Sequence, residues 1–200
     1  GFILLCCGAA QAAPPIEAYG ELPKIRSMTL SPDGEHLAYL LIQDGTEALV
    51  MYKVGEGVVG AVGTDKVKPR DVFFAGPENV IMRVGENVRQ FGIKNKFQRT
   101  GAFSYSLKNG KVRQIPQRMD ELYPAQTGLG RVVGLDEDGK HVFMPAFTGL
   151  SEDPPLALLS VSMKSGSGRI AKKGRYSTID WIVDPDGTVL AREDYDNKSD

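Results

Sequence analysis

Short runs of alternating apolar and polar residues, joined in pairs by turns, recur along this chain. The first pair occupies residues 25–41, and the tetrapeptide Ser-Pro-Asp-Gly at residues 31–34 separates its halves. Alternation with a period of two is typical of β-strands that bury one face. Each residue type of the tetrapeptide suits a tight turn, because proline presets φ and glycine accepts a positive φ. The pattern therefore predicts an antiparallel hairpin.

The same layout returns three more times. Residues 130–146 and 178–193 carry Asp-Glu-Asp-Gly and Asp-Pro-Asp-Gly at the turn, whereas residues 69–84 carry the weaker Gly-Pro-Glu-Asn. A repeat of about 40 to 60 residues built from short strands is typical of β-propeller blades. The sequence thus predicts an all-β fold, a partial β-propeller with three four-stranded antiparallel blades and the first hairpin of a fourth.

We place an incomplete propeller at residues 25–200, with blades at about 25–64, 67–117 and 130–174 and a partial blade at 177–200. Asn109-Gly110 between alternating residues predicts a type I′ turn, in which both residues have positive φ. A ring that does not close leaves an apolar blade face and unpaired strand edges in water. We therefore expect these residues to be the front part of a longer protein.

The first residues differ from all that follow. Residues 1–12 are apolar or small, carry no charge and end in Ala10-Gln11-Ala12, the small-residue pattern that signal peptidases cleave. We predict a truncated signal peptide at 1–12 with cleavage after Ala12, followed by an extended lead-in at 13–24. The apolar run is too short to span a bilayer. The expected localisation is secreted or periplasmic, with no membrane span.

Composition narrows the possible chemistry. Cys6 and Cys7 are the only cysteines and lie in the predicted leader, so a mature chain would have no disulfide and no thiolate nucleophile. Lys and Arg number 24 against 25 Asp and Glu, which gives no electrostatic footprint for nucleic acid. The densest basic stretch, residues 94–99, is interpreted as a solvated loop.

Motifs for nucleophilic catalysis are weak. A serine-hydrolase elbow requires Gly-x-Ser-x-Gly, and no serine satisfies it. The nearest case, Gly166-Ser167-Gly168, is predicted to lie in a turn between strands. His36 and His141 are the only histidines, and each follows the turn glycine of its hairpin by two residues. Both are interpreted as strand residues that flank turns.

Carboxylates cluster at residues 136–138 and at Asp194, Asp196 and Asp200. The second cluster is similar to the start of a calcium loop, but Lys198 stands where an oxygen ligand is required. We therefore predict no catalytic, cofactor-binding or metal-binding residue in this chain, and no cofactor.

Three segments resemble the N-terminal propeller part of secreted bacterial serine peptidases of the prolyl oligopeptidase family, on the acylaminoacyl-peptidase and dipeptidyl-aminopeptidase side. They are residues 16–40, 136–147 and 178–197. The resemblance implies a propeller that caps a C-terminal α/β-hydrolase domain with a Ser-Asp-His triad and screens peptide substrates by size. None of the triad residues maps onto this sequence. Nor does an adjacent Glu-Glu pair occur, with which dipeptidyl peptidases hold a substrate amino terminus.

Two alternatives stay open. Ser-Pro-Asp-Gly hairpins also occur in binding or scaffold propellers of the periplasm, such as the Tol-system protein, which have no catalytic domain. Sialidase-like propellers use Asp-Gly corners too, but the sole tryptophan, Trp181, lies before a turn and not after one. The expected partners are peptide substrates, through the parent enzyme, and its own C-terminal hydrolase domain; no nucleic acid is expected.

Overall fold

The computed structural model describes residues 24–89 and 97–195. The predicted leader and lead-in, both cysteines, Lys94, Asp196 and Asp200 lie outside the described residues. Within those ranges the chain forms only strands, turns and irregular segments, and no membrane-crossing helix is found there. The strands are β1 (Ile25–Leu30), β2 (His36–Gln43), β3 (Thr46–Lys53), β4 (Gly57–Gly63), β5 (Lys68–Phe74), β6 (Asn79–Val88), β7 (Phe97–Ser106), β8 (Val112–Ile115), β9 (Gly134–Leu135), β10 (His141–Phe147), β11 (Leu156–Ser162), β12 (Gly168–Lys172), β13 (Thr178–Val183) and β14 (Val189–Asp194).

These strands form four antiparallel sheets in chain order. The first sheet contains β1 to β4, the second β5 to β8, the third β9 to β12, and β13 pairs with β14 in a two-stranded fourth hairpin. Each four-stranded sheet is a meander in which neighbours in sequence are neighbours in space. The predicted fold class, a partial β-propeller with three four-stranded blades and one further hairpin, is confirmed.

Three of the hairpin turns share one hydrogen-bonding scheme. In the first sheet, the Ser31 hydroxyl oxygen accepts the backbone N–H of His36 at 2.8 Å, and Gly34 has a φ of 75°. In the third sheet, the Asp136 carboxylate replaces that hydroxyl and accepts the N–H of His141 at 2.8 Å. Asp184 does the same for the N–H of Thr188 in the fourth hairpin, at 2.7 Å. The turn chemistry read from the sequence therefore recurs in three blades.

The turn between β7 and β8 differs from the prediction. Gly110 has a φ of 65°, but Asn109 is not among the described residues with positive φ. The N–H of Gly110 donates to the Ser106 carbonyl at 2.8 Å, and the N–H of Ser106 donates to the Lys111 carbonyl at 3.0 Å. Four residues form this loop rather than two. The type I′ prediction was wrong because a four-residue hairpin loop can be built around a type I turn, which has negative φ at its central residues.

The core lies between neighbouring sheets, and β6 shows how. Val80 and Met82 pack into an apolar cluster with Leu40 and Met51 of the first sheet. Ile81, on the opposite face of the same strand, packs into a second cluster formed with the third sheet. Because successive residues of a strand point to opposite faces, the second sheet is covered on both sides.

The two ends of this row of sheets are apolar but uncovered in places. Leu30 and Val58 of the first sheet are 55% and 62% exposed. In the fourth hairpin, Trp181 is buried. Its neighbour Ile182 points the other way and is 52% exposed, and Leu190 is 62% exposed. Apolar side chains therefore face outward at both ends.

Candidate functional site

A cleft of about 860 Å³ lies between the second and third sheets. Its walls come from four turns at one end of the sheets: β5–β6, β7–β8, β9–β10 and β11–β12. We call it the turn cleft. Its lining includes His141 and Ser162, which are cross-strand partners on β10 and β11. One of the two histidines identified in the sequence therefore borders a concave surface.

The ring of His141 is held by Asp136. One carboxylate oxygen of Asp136 accepts the backbone N–H of His141 at 2.8 Å, and the other lies 2.7 Å from the ring Nδ1. Burial raises the pKa of Asp136, but the hydrogen bonds from the backbone and ring of His141 outweigh it, so the pKa lies below its ordinary value. Asp136 is therefore ionised at neutral pH and orients the imidazole.

An oriented Asp–His pair is two thirds of a catalytic triad, which also needs a hydroxyl bonded to the ring. The Ser162 hydroxyl oxygen instead accepts the backbone N–H of Ser165 at 3.3 Å. In residues 24–89 and 97–195, no hydrogen bond joins His141 to a serine. Among the described residues, the Asp136–His141 pair therefore does not form a complete triad.

His36 occupies the same position in the first sheet with different chemistry. Ser31 stands where Asp136 stands in the third sheet, and Nδ1 of His36 is buried with no hydrogen-bond partner among the described residues. Asp33, Glu35 and His36 place one ligand atom each within 4.8 Å of one another, a grouping that the sequence analysis did not single out. The first carboxylate oxygen of Asp33 already accepts the Ser31 hydroxyl at 2.5 Å and the Glu35 N–H at 3.1 Å. Those two bonds lower the pKa of Asp33 and account for its place in the turn.

Other residues considered from the sequence have structural partners. Ser167 lies in the turn from β11 to β12, where its N–H donates to the Ser165 hydroxyl at 3.2 Å. Asp194 accepts two guanidinium N–H groups of Arg192, and this hydrogen bonding lowers its pKa. The interpretation of residues 94–99 as a solvated loop was wrong for residues 97–99, which lie in β7 and pair with β6; there Arg99 donates to Glu86 at 2.7 Å. Ser167, Asp194 and Arg99 therefore each form a hydrogen bond within their own sheet or turn.

Gln126 is a buried polar residue that sequence reasoning missed. Gln126 is buried, and its amide donates to the Tyr123 and Phe147 carbonyls at 3.0 and 2.6 Å. Its carbonyl oxygen accepts the N–H of Phe147 at 3.2 Å. This side chain fixes the long connection between the second and third sheets against β10. No local pattern marks it, because a glutamine in a polar segment normally indicates a solvated loop.

No protein-family model matches the sequence, and no curated protein matches it in sequence comparison. Solved structures do resemble it. TolB from Acinetobacter baumannii is 12% identical over 88% of this chain and 39% of its own, with a TM-score of 0.46. The Pyrococcus horikoshii acylaminoacyl peptidase is 10% identical over 79% of this chain and 26% of its own, with a TM-score of 0.48. An oligogalacturonate lyase in complex with manganese is 9% identical over 84% of this chain and 46% of its own, with a TM-score of 0.51.

The chain spans less than half the length of each of these three proteins. At such low identity the similarity concerns the fold alone.

Proposed function

We propose that this chain is the non-catalytic propeller part of a secreted serine peptidase. In this proposal it gates the access of peptide substrates to a C-terminal α/β-hydrolase domain of the same protein. The observation that carries the proposal is the pair of apolar outer faces, one on the first sheet and one on the fourth hairpin.

The outer face of the first sheet has the residue pattern of a blade face that is buried in a closed propeller. Leu30 pairs with Leu37, which pairs with Tyr52, which in turn pairs with Val58, so the four side chains form one apolar row across the first sheet. The row lies on one face of the sheet, and Ala38 and Met51 lie on the other face, where they are buried against the second sheet. A propeller covers both faces of each blade with its neighbours. Further blades beyond the described sheets would cover this row and Ile182.

One observation favours a peptidase among propeller proteins, and a second is compatible with it. The order of the three hairpin segments resembles the prolyl oligopeptidase family, in which the hydrolase domain carries the triad. The Asp136–His141 pair has no serine bonded to it in the described residues, so it does not compete with that assignment of the chemistry.

Active-site labelling tests the proposal. The full-length product of the same reading frame and the 200-residue chain would each be treated with a fluorophosphonate probe, with heat-denatured samples as controls. We expect label on the full-length product and none on the 200-residue chain. Label on the 200-residue chain would place the nucleophile here and overturn the proposal.

The second candidate is a binding or scaffold propeller of the periplasm with no catalytic domain. The turn cleft favours it, because the cleft is a concave and positively charged surface formed by propeller residues alone. A reading frame that ends after the last blade, without Gly-x-Ser-x-Gly, and a full-length product that takes up no probe would support this candidate.

A further inference from the structure

We infer that the turn cleft binds an acidic peptide segment. This inference goes beyond the proposed function, since it concerns a surface between two blades and requires no hydrolase domain. It rests on the charges of the cleft, on the contacts between its two walls, and on its volume and apolar lining.

The cleft gathers cations from both of its walls. Two carboxylates, Glu78 and Asp138, also line it. The cations outnumber them, although the whole chain has a net charge of −1. The cationic side chains are Lys108, Lys111 and Arg113 from the second sheet and Lys140 and Lys164 from the third.

Within residues 24–89 and 97–195, most of these cationic side chains have no ion-pair partner. Lys140 forms an ion pair with Asp138 at 2.6 Å, and this hydrogen bond raises the pKa of Lys140. In the described part of the chain, no carboxylate lies within ion-pair distance of the four other cations. Like charges that face one another across a cleft repel, and an anionic ligand relieves that repulsion.

The two walls approach each other closely at both ends of the cleft. At one end the β5–β6 turn approaches the β9–β10 turn, so that a Cβ placed on Gly76 would lie 3.9 Å from the Gly139 carbonyl oxygen. At the other end, a Cβ on Gly166 would lie 3.6 Å from Cδ of Arg113. Next to that end, the N–H of Gln117 donates to the Gly166 carbonyl at 2.6 Å. The backbone that carries the cations is therefore held in place before a ligand binds, which reduces the part of the entropic cost of binding that comes from ordering the turns.

Size and floor favour a peptide over other anions. Ligand sites commonly measure about 300 to 1,000 Å³, far more than a single phosphate fills. The buried Ala75 and Met163 form the apolar floor of the cleft, and Pro77 is an exposed apolar residue of its lining that is suited to contact an apolar side chain among acidic ones. The lining contains no phenylalanine, tyrosine or tryptophan, and its one aromatic ring, that of His141, is held by Asp136, whereas single-stranded nucleic acid is bound largely by stacking on several aromatic rings.

Fluorescence anisotropy with the 200-residue chain tests this inference. The probe is a fluorescein-labelled peptide, Glu-Glu-Glu-Leu-Glu-Glu-Glu, and its glutamine counterpart is the neutral control. The cleft variant is Lys111→Glu with Lys164→Glu, one exposed lysine from each wall. The matched control is Lys68→Glu with Lys172→Glu, which changes the net charge equally at exposed positions outside the cleft. Circular dichroism verifies that each variant retains its β-sheet.

We expect saturable binding of the acidic peptide that weakens as salt is added. The cleft variant should bind roughly tenfold more weakly, and the control variant should stay within about twofold of the unsubstituted chain. Three results would each overturn the inference: no saturable binding, equal loss in both variants, or tighter binding of a single-stranded DNA oligonucleotide of equal charge.

Discussion

The indole N–H of Trp181 donates to the main-chain carbonyl oxygen of Leu156 across 2.9 Å, and this bond ties the fourth hairpin to the third sheet. The ring is only 5% exposed, and the guanidinium of Arg192 lies 6.0 Å from its centre. A two-stranded hairpin is marginally stable alone in water. The order of β13 and β14 therefore depends on packing against the third sheet, to which this contact contributes.

Trp181→Phe should weaken that attachment. The substitution removes the donor to Leu156 and shrinks the buried ring, which we expect to cost about 1–3 kcal/mol in free energy of unfolding. Hydrogen exchange should show faster exchange of the amides in β13 and β14. Tyr176→Phe, at an exposed position nearby, is the control and should change neither quantity. Unchanged exchange in the Trp181 variant would contradict a role in docking.

Gly187 and Gly139 occupy equivalent turns. Comparing an alanine substitution at each position therefore separates the cost of backbone strain from the cost of steric contact. Both have positive φ, of 84° and 63°. A Cβ on Gly187 would lie 2.7 Å from the Leu135 carbonyl oxygen and 2.8 Å from the Phe143 ring, whereas one on Gly139 meets nothing within 4 Å.

Gly139→Ala should therefore cost about 1 kcal/mol, the penalty of a left-handed conformation for alanine. Gly187→Ala should cost about 1–3 kcal/mol more, because the third sheet and the fourth hairpin must move apart. Urea unfolding followed by circular dichroism measures both. Equal losses would show that the close approach contributes nothing.

Asp136→Asn should lower stability at neutral pH and change its dependence on pH. The folded-state pKa of Asp136 lies below its ordinary value, so its carboxylate stabilises the fold at and above the unfolded-state pKa of about 3.9. That contribution is lost as the pH falls through the lower folded-state pKa. We expect a loss of about 1 kcal/mol at pH 7 that shrinks in acid.

Unfolding of the Asp136 variant in urea at neutral and strongly acid pH would measure this difference. Glu137→Gln, a neighbouring exposed carboxylate, serves as the control and should show neither effect. A loss that stayed constant with pH would mean that the charge of Asp136 is irrelevant.

Ile182→Lys tests whether further blades cover the outer face. In the 200-residue chain this exposed position should tolerate lysine to within about 0.5 kcal/mol. In the longer protein that we propose, the same change would bury an unpaired charge between blades and lower the thermal midpoint by several degrees. Leu150→Lys, on the exposed β10–β11 loop, should be neutral in both. Equal tolerance of Ile182→Lys in both lengths would contradict coverage by another blade.

The strands and most of their turns could be predicted from the sequence because the forces involved are local. Ser31, Asp136 and Asp184 each cap a turn within five residues of themselves, and alternation along a strand is visible in any short window. The loop at Asn109 is an exception, and it shows how far turn type can be predicted from the sequence. Two residues do not determine whether a hairpin loop contains two residues or four.

The turn cleft could not be predicted, since its residues lie in four turns that are distant in sequence. Lys111 and Lys164 face one cavity only because the second and third sheets pack against each other. The bonds of Gln126 to Phe147 likewise depend on how the connecting segment folds back.

By itself, then, the sequence determined which residues pair into hairpins, since hydrophobic alternation and turn chemistry act over a few neighbouring residues. Only the tertiary structure decided which hairpin ends meet. That outcome depends on the packing of whole apolar faces such as those of β6, where Val80 and Ile81 join different clusters. Packing of this kind sums contacts across the chain, and no short segment encodes it.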